Sequence, residues 1–363
     1  MLDQLVGNER VKALLRRILE AGRLPGAMLF TGEEGVGKKL FALEIARALN
    51  CRTPQGVEGC GRCPPCVRIG KFNYPQSAES DDWKGIIWTD HPDVGMVVAP
   101  KRLLLVDQMR QIEREANFRP YEGKARMFLI EDADKLNDSS ANALLKVLEE
   151  PPDTSHIVLL TSRPAMLLPT IRSRCQMIRF SPLKPQEIET YLVANKLVGA
   201  ADARSRASLA RGSLGRAVDQ DFDEYTSQRE AMLRVLKSLA SGNASDDYRG
   251  ELLKSAEDLN SAAFKDEYEA RLDILETLIR DAWMLHLNAP PDIVVNEDLL
   301  DQLKQIARSL DSVRPARWIS QIEEMREQLV VNINRKASTD ALFLTMAATS
   351  ASELPPKRRF LIK

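Results

Sequence analysis

A chain of 363 residues is longer than one hydrophobic core usually organises, so two or three domains are expected. Charged residues make up 28% of it and the formal net charge is −1, which excludes bulk attraction to nucleic acid or membrane and leaves only local patches for such contacts. No run approaches about 18 consecutive apolar residues, and MLDQLVGNERVKALL lacks the apolar core and cleavage site of a signal peptide, so a cytoplasmic protein without a membrane partner is expected.

Val11, Leu14, Leu15, Ile18 and Leu19 recur on one helical face, which Gly22 ends. AMLFT (27–31) is a short apolar run leading into TGEEGVGKK, and KLFALEIARAL (39–49) returns to helical spacing. Strand, Gly loop and helix in that order give a phosphate-binding loop its context. Gly32, Gly35 and Gly37 let the backbone turn and aim N–H groups at phosphate oxygens, while Lys38 reaches toward the β- and γ-phosphates. The next position should offer a hydroxyl to Mg²⁺; it is Lys39, whose ammonium donates and cannot ligate a metal.

Four of the five cysteines follow: Cys51, Cys60, Cys63 and Cys66, separated by Pro- and Gly-rich filler. Thiolates at these spacings close a tetrahedron around Zn²⁺ with no open position, which predicts a structural zinc site; the bland alternative is four unligated thiols in a loop. Further apolar runs recur at IIW (86–88), GMVVA (95–99), RMFLI (126–130), IVLLT (157–161) and QMIRF (176–180), with helical patterns between several of them, which predicts an α/β domain built on a largely parallel sheet. RMFLI ends in Glu131 and Asp132, the outline of a strand whose acids hold Mg²⁺ and polarise water. Arg174 in TIRSRC and Arg216 in GSLGRAVD read, on residue pattern alone, as surface charges. After SPLKP (181–185) the strand-like runs nearly stop, and long helical patterns such as 270–285 and 318–333 take over; SGNASDD (241–247) reads as a boundary, and the tail LPPKRRFLIK is basic.

Together GEEGVGKK, the four-Cys insert, HPDV (91–94), FLIEDADKLNDSSANALLKVLEEPP (128–152), LLTSRP (159–164), TIRSRC and GSLGRA resemble, in order, the AAA+ clamp-loader family of bacterial DNA polymerase III, and within it the stator-like branch. The resemblance implies an AAA+ module over 1–183 (a parallel sheet with helices on both faces and the zinc insert at about 51–66), an all-α lid over 184–242, an all-α collar over 243–350 and a basic tail over 351–363. It implies a hetero-pentamer with other clamp-loader subunits that places a sliding clamp on primer–template DNA. It also implies roles. Lys38 is the phosphate lysine, Glu131 and Asp132 hold the Walker B positions, Thr161 or Ser162 stands at sensor 1, and Arg216 is sensor 2. Arg174 becomes an arginine finger used on a neighbour's ATP, and the four cysteines become zinc ligands. The departures are Lys39 and the Glu–Asp order of the acids, the reverse of the usual one, so weak or absent ATPase activity is expected at the chain's own site.

Two other readings make different demands. An autonomous AAA+ ATPase, such as a motor subunit, needs Ser or Thr after Lys38 and an Asp–Glu pair, and this chain has neither. A zinc-dependent nucleic-acid reader needs cations and aromatics around the ligands; Arg52, Arg62, Arg68, Lys71, Phe72 and Tyr74 are a modest set for that purpose.

Overall fold

The computed structural model describes residues 1–347 except 78–79, 220–221, 242–249, 251–253, 255–256, 258, 260–264, 291–292 and 331–333. Most of the expected boundary at 241–247 and all of the basic tail lie outside the described residues.

The six apolar runs form strands β1 (Ala27–Thr31), β2 (Ile87–Trp88), β3 (Val94–Val97), β4 (Arg126–Ile130), β5 (Ser155–Thr161) and β6 (Gln176–Arg179) of one sheet, ordered β2-β3-β4-β5-β1-β6. All neighbours are parallel except β2 and β3, which pair antiparallel at the edge. Every residue of β1, β4 and β5 is buried, as a sheet covered on both faces requires. Alternation sorts their side chains: Met28, Phe30, Met127, Leu129, Val158 and Leu160 enter one core, with Val11 and Leu15 of α1 (Glu9–Glu20) and Phe41 and Ile45 of α2 (Lys38–Asn50). The short α3 (Pro64–Arg68) lies in the cysteine insert. Ala27, Leu29, Phe128, Ile130, Ile157 and Leu159 enter the other core, with Met109 and Ile112 of α4 (Val106–Ala116) and Leu144 and Leu148 of α5 (Asp138–Glu149). Truncating one such leucine to alanine costs about 2–5 kcal/mol.

Helix α6 (Pro169–Arg172) precedes β6. Helices α7 (Pro185–Ala194), α8 (Ala200–Leu209) and α9 (Leu214–Asp219) belong to the same compact unit, Met1–Asp219, and send Ile188, Leu192, Ala203 and Ala217 into the first core.

The second compact unit begins at Gln220. Its described helices are α10 (Phe222–Ser241), α11 (Lys265–His286), α12 (Leu300–Ser309), α13 (Arg314–Val330) and α14 (Arg335–Ala347). Helix α11 packs against α10, α12 and α13 and buries Leu272, Leu275, Leu278 and Ile279. Two large buried side chains of this unit keep partners for their polar tips. The Tyr268 hydroxyl lies 2.7 Å from Thr339 Oγ1, and Trp318 Nε1 donates to Met346 O at 2.7 Å. Helix α10, which the sequence reading places at the end of the lid, packs here on the helices that follow it.

Candidate nucleotide pocket, metal centre and arginine edge

The C-terminal ends of β1, β4 and β5 lie side by side, Thr31 opposite Thr161 and Ile130 opposite Leu159. That register brings the Gly loop, the Glu131–Asp132 pair and Ser162 to one rim, the crevice where open α/β sheets hold ligands. A cleft of about 470 Å³ there is lined by Gly35, Gly37, Lys38, Lys39, both acids and Ser162, among others. Gly32, Thr161 and Arg216 are not lining residues. The Gly32 N–H donates to Thr161 O at 3.3 Å. The Thr161 hydroxyl donates to Asp134 Oδ1 at 2.5 Å and accepts from Arg163 N, so of the sensor-1 pair it is Ser162 that faces the cleft. Arg216 lies in the first turn of α9, its backbone N–H donating to Ser213 Oγ at 3.1 Å.

Gly35 is required twice over. Its φ of +71° suits glycine, and a Cβ would lie 2.2 Å from Ser213 Oγ and 3.2 Å from Gly215 Cα. The Gly215 N–H donates to Gly35 O at 3.0 Å, so the GSLG stretch packs directly on the phosphate loop. Residue pattern alone assigns Ser213 and Gly215 no such contact, because the two segments lie far apart in sequence.

The two loop lysines are both engaged. Lys38 Nζ donates to Gly32 O at 2.7 Å and Glu33 O at 2.8 Å, and burial pulls this ammonium below the usual lysine range. Lys39 Nζ lies 3.3 Å from Glu131 Oε2 and 3.0 Å from the Tyr74 hydroxyl, with the Phe72 ring centroid 5.0 Å away. Asp132 adopts a φ of +47° and pairs with Lys135 at 2.9 Å. These residues do not fit a divalent ion: the position that should supply a hydroxyl ligand supplies a cation, and the acid that should face the metal faces that cation. Phe72 and Tyr74 enter the sequence reading only as candidate nucleic-acid contacts; nothing in their spacing points to Lys39.

The cysteine insert begins where α2 ends. Asn50, the last helical residue, accepts from Lys124 N at 2.8 Å and Ala125 N at 3.1 Å, fixing the exit. Arg47 Nε donates to Cys66 O at 3.0 Å, and Glu58 accepts from Leu2 N at 2.8 Å and Arg16 Nε at 2.7 Å. So stapled, the Sγ atoms of Cys51, Cys60, Cys63 and Cys66 all lie within 4.8 Å of one another, and all four residues are buried. Cys51 and Cys63 Sγ are 3.7 Å apart, close to the edge of about 3.8 Å for a tetrahedron with metal–sulfur bonds of ~2.3 Å. The Thr53 hydroxyl, followed by the backbone N–H groups of Arg62 and Cys63, brings the Cys60 thiol down to about 5, whereas burial pushes Cys66 up to about 12. The cluster could hold a metal ion. Around it, Arg52 and Arg68 both pair with Glu122.

Arg174 lies at the opposite end of the sheet. Strand β6 runs parallel to β1 with Gln176 opposite Met28, so residue 174 precedes the strand at its N-terminal edge, whereas the Gly loop follows Thr31 at the C-terminal edge. The two are separated by about the length of the strand, roughly 15 Å. Buried Ile171 and Cys175 anchor the segment on either side, and burial pushes the Cys175 thiol up to about 12. The guanidinium is held in place: Nε and Nη2 meet Glu149 Oε1 at 2.8 and 2.6 Å, and Nη1 donates to Thr170 O at 3.0 Å. The surface-charge reading misses Glu149. A signal is present in NALLKVLEEPP, whose helix ends on a carboxylate.

Comparison with known proteins places the chain. Residues 7–184 match the family described as DNA polymerase III, delta subunit, and residues 224–337 match DNA polymerase III, delta subunit, C terminal. The chain is 30% identical over 328 residues to DNA polymerase III subunit delta' of Escherichia coli, covering 90% of each, and 28% identical over 340 residues to the Bacillus subtilis subunit of the same name, covering 93% of this chain and 95% of that one. It is also 31% identical over 241 residues to Escherichia coli subunit tau, covering 66% of this chain and 33% of that protein. The chain belongs to the delta-prime family of DNA polymerase III subunits.

Proposed function

We propose that this chain is a subunit of the DNA polymerase III clamp loader that acts on a neighbour's ATP site and leaves its own idle. In this reading it sits in a hetero-pentamer with other clamp-loader subunits, helps load the sliding clamp onto primer–template DNA in the cytoplasm, and supplies Arg174 in trans. The observation that carries it is the position of Arg174, at the N-terminal edge of the sheet while the chain's own Gly loop lies at the C-terminal edge. An arginine so placed is out of reach of its own pocket and is available to another subunit. The Lys39–Glu131 pair supports the second half, because it takes up the acid that Mg²⁺-dependent hydrolysis needs.

The cysteine cluster holds one structural Zn²⁺ in this reading, cross-linking α3 to the end of α2 through Cys51, Cys60, Cys63 and Cys66 with no position left for substrate. In this reading the chain divides into an AAA+ module (1–183), a lid (184–242) and a collar (243–350). The test is reconstitution with the partner subunits, with and without this chain. Loading and clamp-stimulated ATP hydrolysis should collapse without it. Full activity in its absence would contradict the clamp-loader reading, and steady ATP turnover by the isolated chain would return the autonomous-ATPase reading.

A further inference from the structure

We propose that Glu149 is a positioning residue for Arg174, holding the guanidinium so that its outer edge faces the neighbouring subunit. The proposal rests on the reading of Arg174 as a trans arginine finger. Three observations carry it. First, a guanidinium has five N–H groups in a fixed fork. Nε and one N–H of Nη2 go to Glu149, and one N–H of Nη1 goes to Thr170 O, which leaves one N–H on each terminal nitrogen among the described residues. Those two are what a two-point contact with a phosphate requires.

Second, Glu149 is itself placed rigidly. Helix α5 starts at an Asn137 cap whose side chain accepts from Ser140 N at 2.8 Å, and Leu144, Val147 and Leu148 bury its inner face. Pro151 then packs where a Gly26 Cβ would stand, 2.2 Å from its Cγ, so the chain leaves the helix in one direction. Third, a carboxylate in the last turn of a helix opposes the helix dipole, so α5 gains nothing from an acid there unless a cation answers it. Arg174 is that cation. The pair is partly solvated, with side-chain exposures of 33% for Arg174 and 48% for Glu149, so it contributes little to folding. What it offers is direction: a long, flexible side chain is held in one rotamer at the subunit's edge.

The experiment rebuilds the full complex with the wild-type chain, Glu149→Ala, Glu149→Gln, Arg174→Ala and the Glu149→Ala/Arg174→Ala double variant. Each subunit is first checked for incorporation, and clamp-stimulated ATP hydrolysis is then followed over a range of ATP concentrations. Glu149→Ala should lower kcat by roughly three- to tenfold with KM for ATP unchanged. Glu149→Gln keeps an acceptor oxygen and should recover part of the loss. In the Arg174→Ala background Glu149→Ala should add nothing, because it acts only through Arg174. A wild-type kcat in Glu149→Ala beside a defective Arg174→Ala would overturn this inference and leave the finger reading intact, and so would a multiplicative loss in the double variant or a faster Glu149→Ala. A wild-type rate in Arg174→Ala would overturn the finger reading itself, and this inference with it.

Discussion

The two ends of one sheet treat their cations in opposite ways. At the C-terminal edge Lys38 is folded onto the carbonyls of its own loop, and Lys39 is engaged by Glu131 and Tyr74 beside the ring of Phe72. At the N-terminal edge Arg174 is also paired with a carboxylate, yet the fork of its guanidinium outlasts that pairing and leaves two donors pointing elsewhere. An ammonium is a point charge that one acid and one hydroxyl largely satisfy; a guanidinium can be gripped along one edge and work along another. In the proposed reading the same device, a cation answered by an acid, closes one site and prepares the other.

The sharpest way to break that contrast is at Arg174. Removing a finger of this kind costs roughly 10³–10⁵ in rate at the site it serves, and less in a ring with several active sites. Arg174→Lys should recover little, because the point charge loses the fork. Equal ATPase rates for lysine and arginine complexes would show that charge alone matters and would erase the difference between the two ends.

The four-cysteine cluster provides a control on the shared scaffold. Cys63→Ser should lower zinc content from about one per chain and reduce the melting temperature, since bound structural zinc is folding free energy. Below its melting temperature the variant should still support hydrolysis, because the insert joins neither edge's chemistry. Metal-free wild-type protein of unchanged stability would end the structural-zinc reading. A smaller effect is expected at Lys39. Lys39→Thr removes the ammonium from Glu131 and restores a hydroxyl, so nucleotide binding by the isolated chain should become stronger with Mg²⁺ than with EDTA. No difference between variant and wild type in a fluorescent-nucleotide titration would mean that Lys39 is not what excludes the metal.

Much of this was legible in the sequence, for physical reasons. Strands buried on both faces read as near-continuous apolar runs, so AMLFT, RMFLI and IVLLT stand out, and the glycines and cysteines sit at spacings their chemistry dictates. The partners are less legible. Tyr74 reaches Lys39 from 35 residues away, and Glu149 reaches Arg174 from 25, distances over which no local periodicity carries information. The acid's role depends on where α5 stops, and the lysine's on where a loop folds back. Nor does composition show that compactness divides the chain at 219/220, ahead of the polar stretch at 241–247, because α10 carries enough apolar surface to pack on α11.

The most direct test compares clamp-stimulated ATP hydrolysis by complexes rebuilt with Lys38→Ala or with Arg174→Ala, each shown to contain the subunit. If the chain works on its neighbour's site, Lys38→Ala should run within about twofold of wild type, because its pocket takes no part in the rate-determining chemistry, while Arg174→Ala should be slowed far more. The reverse pattern, a crippled Lys38→Ala complex beside a normal Arg174→Ala complex, would show that the chain's own pocket is the working site.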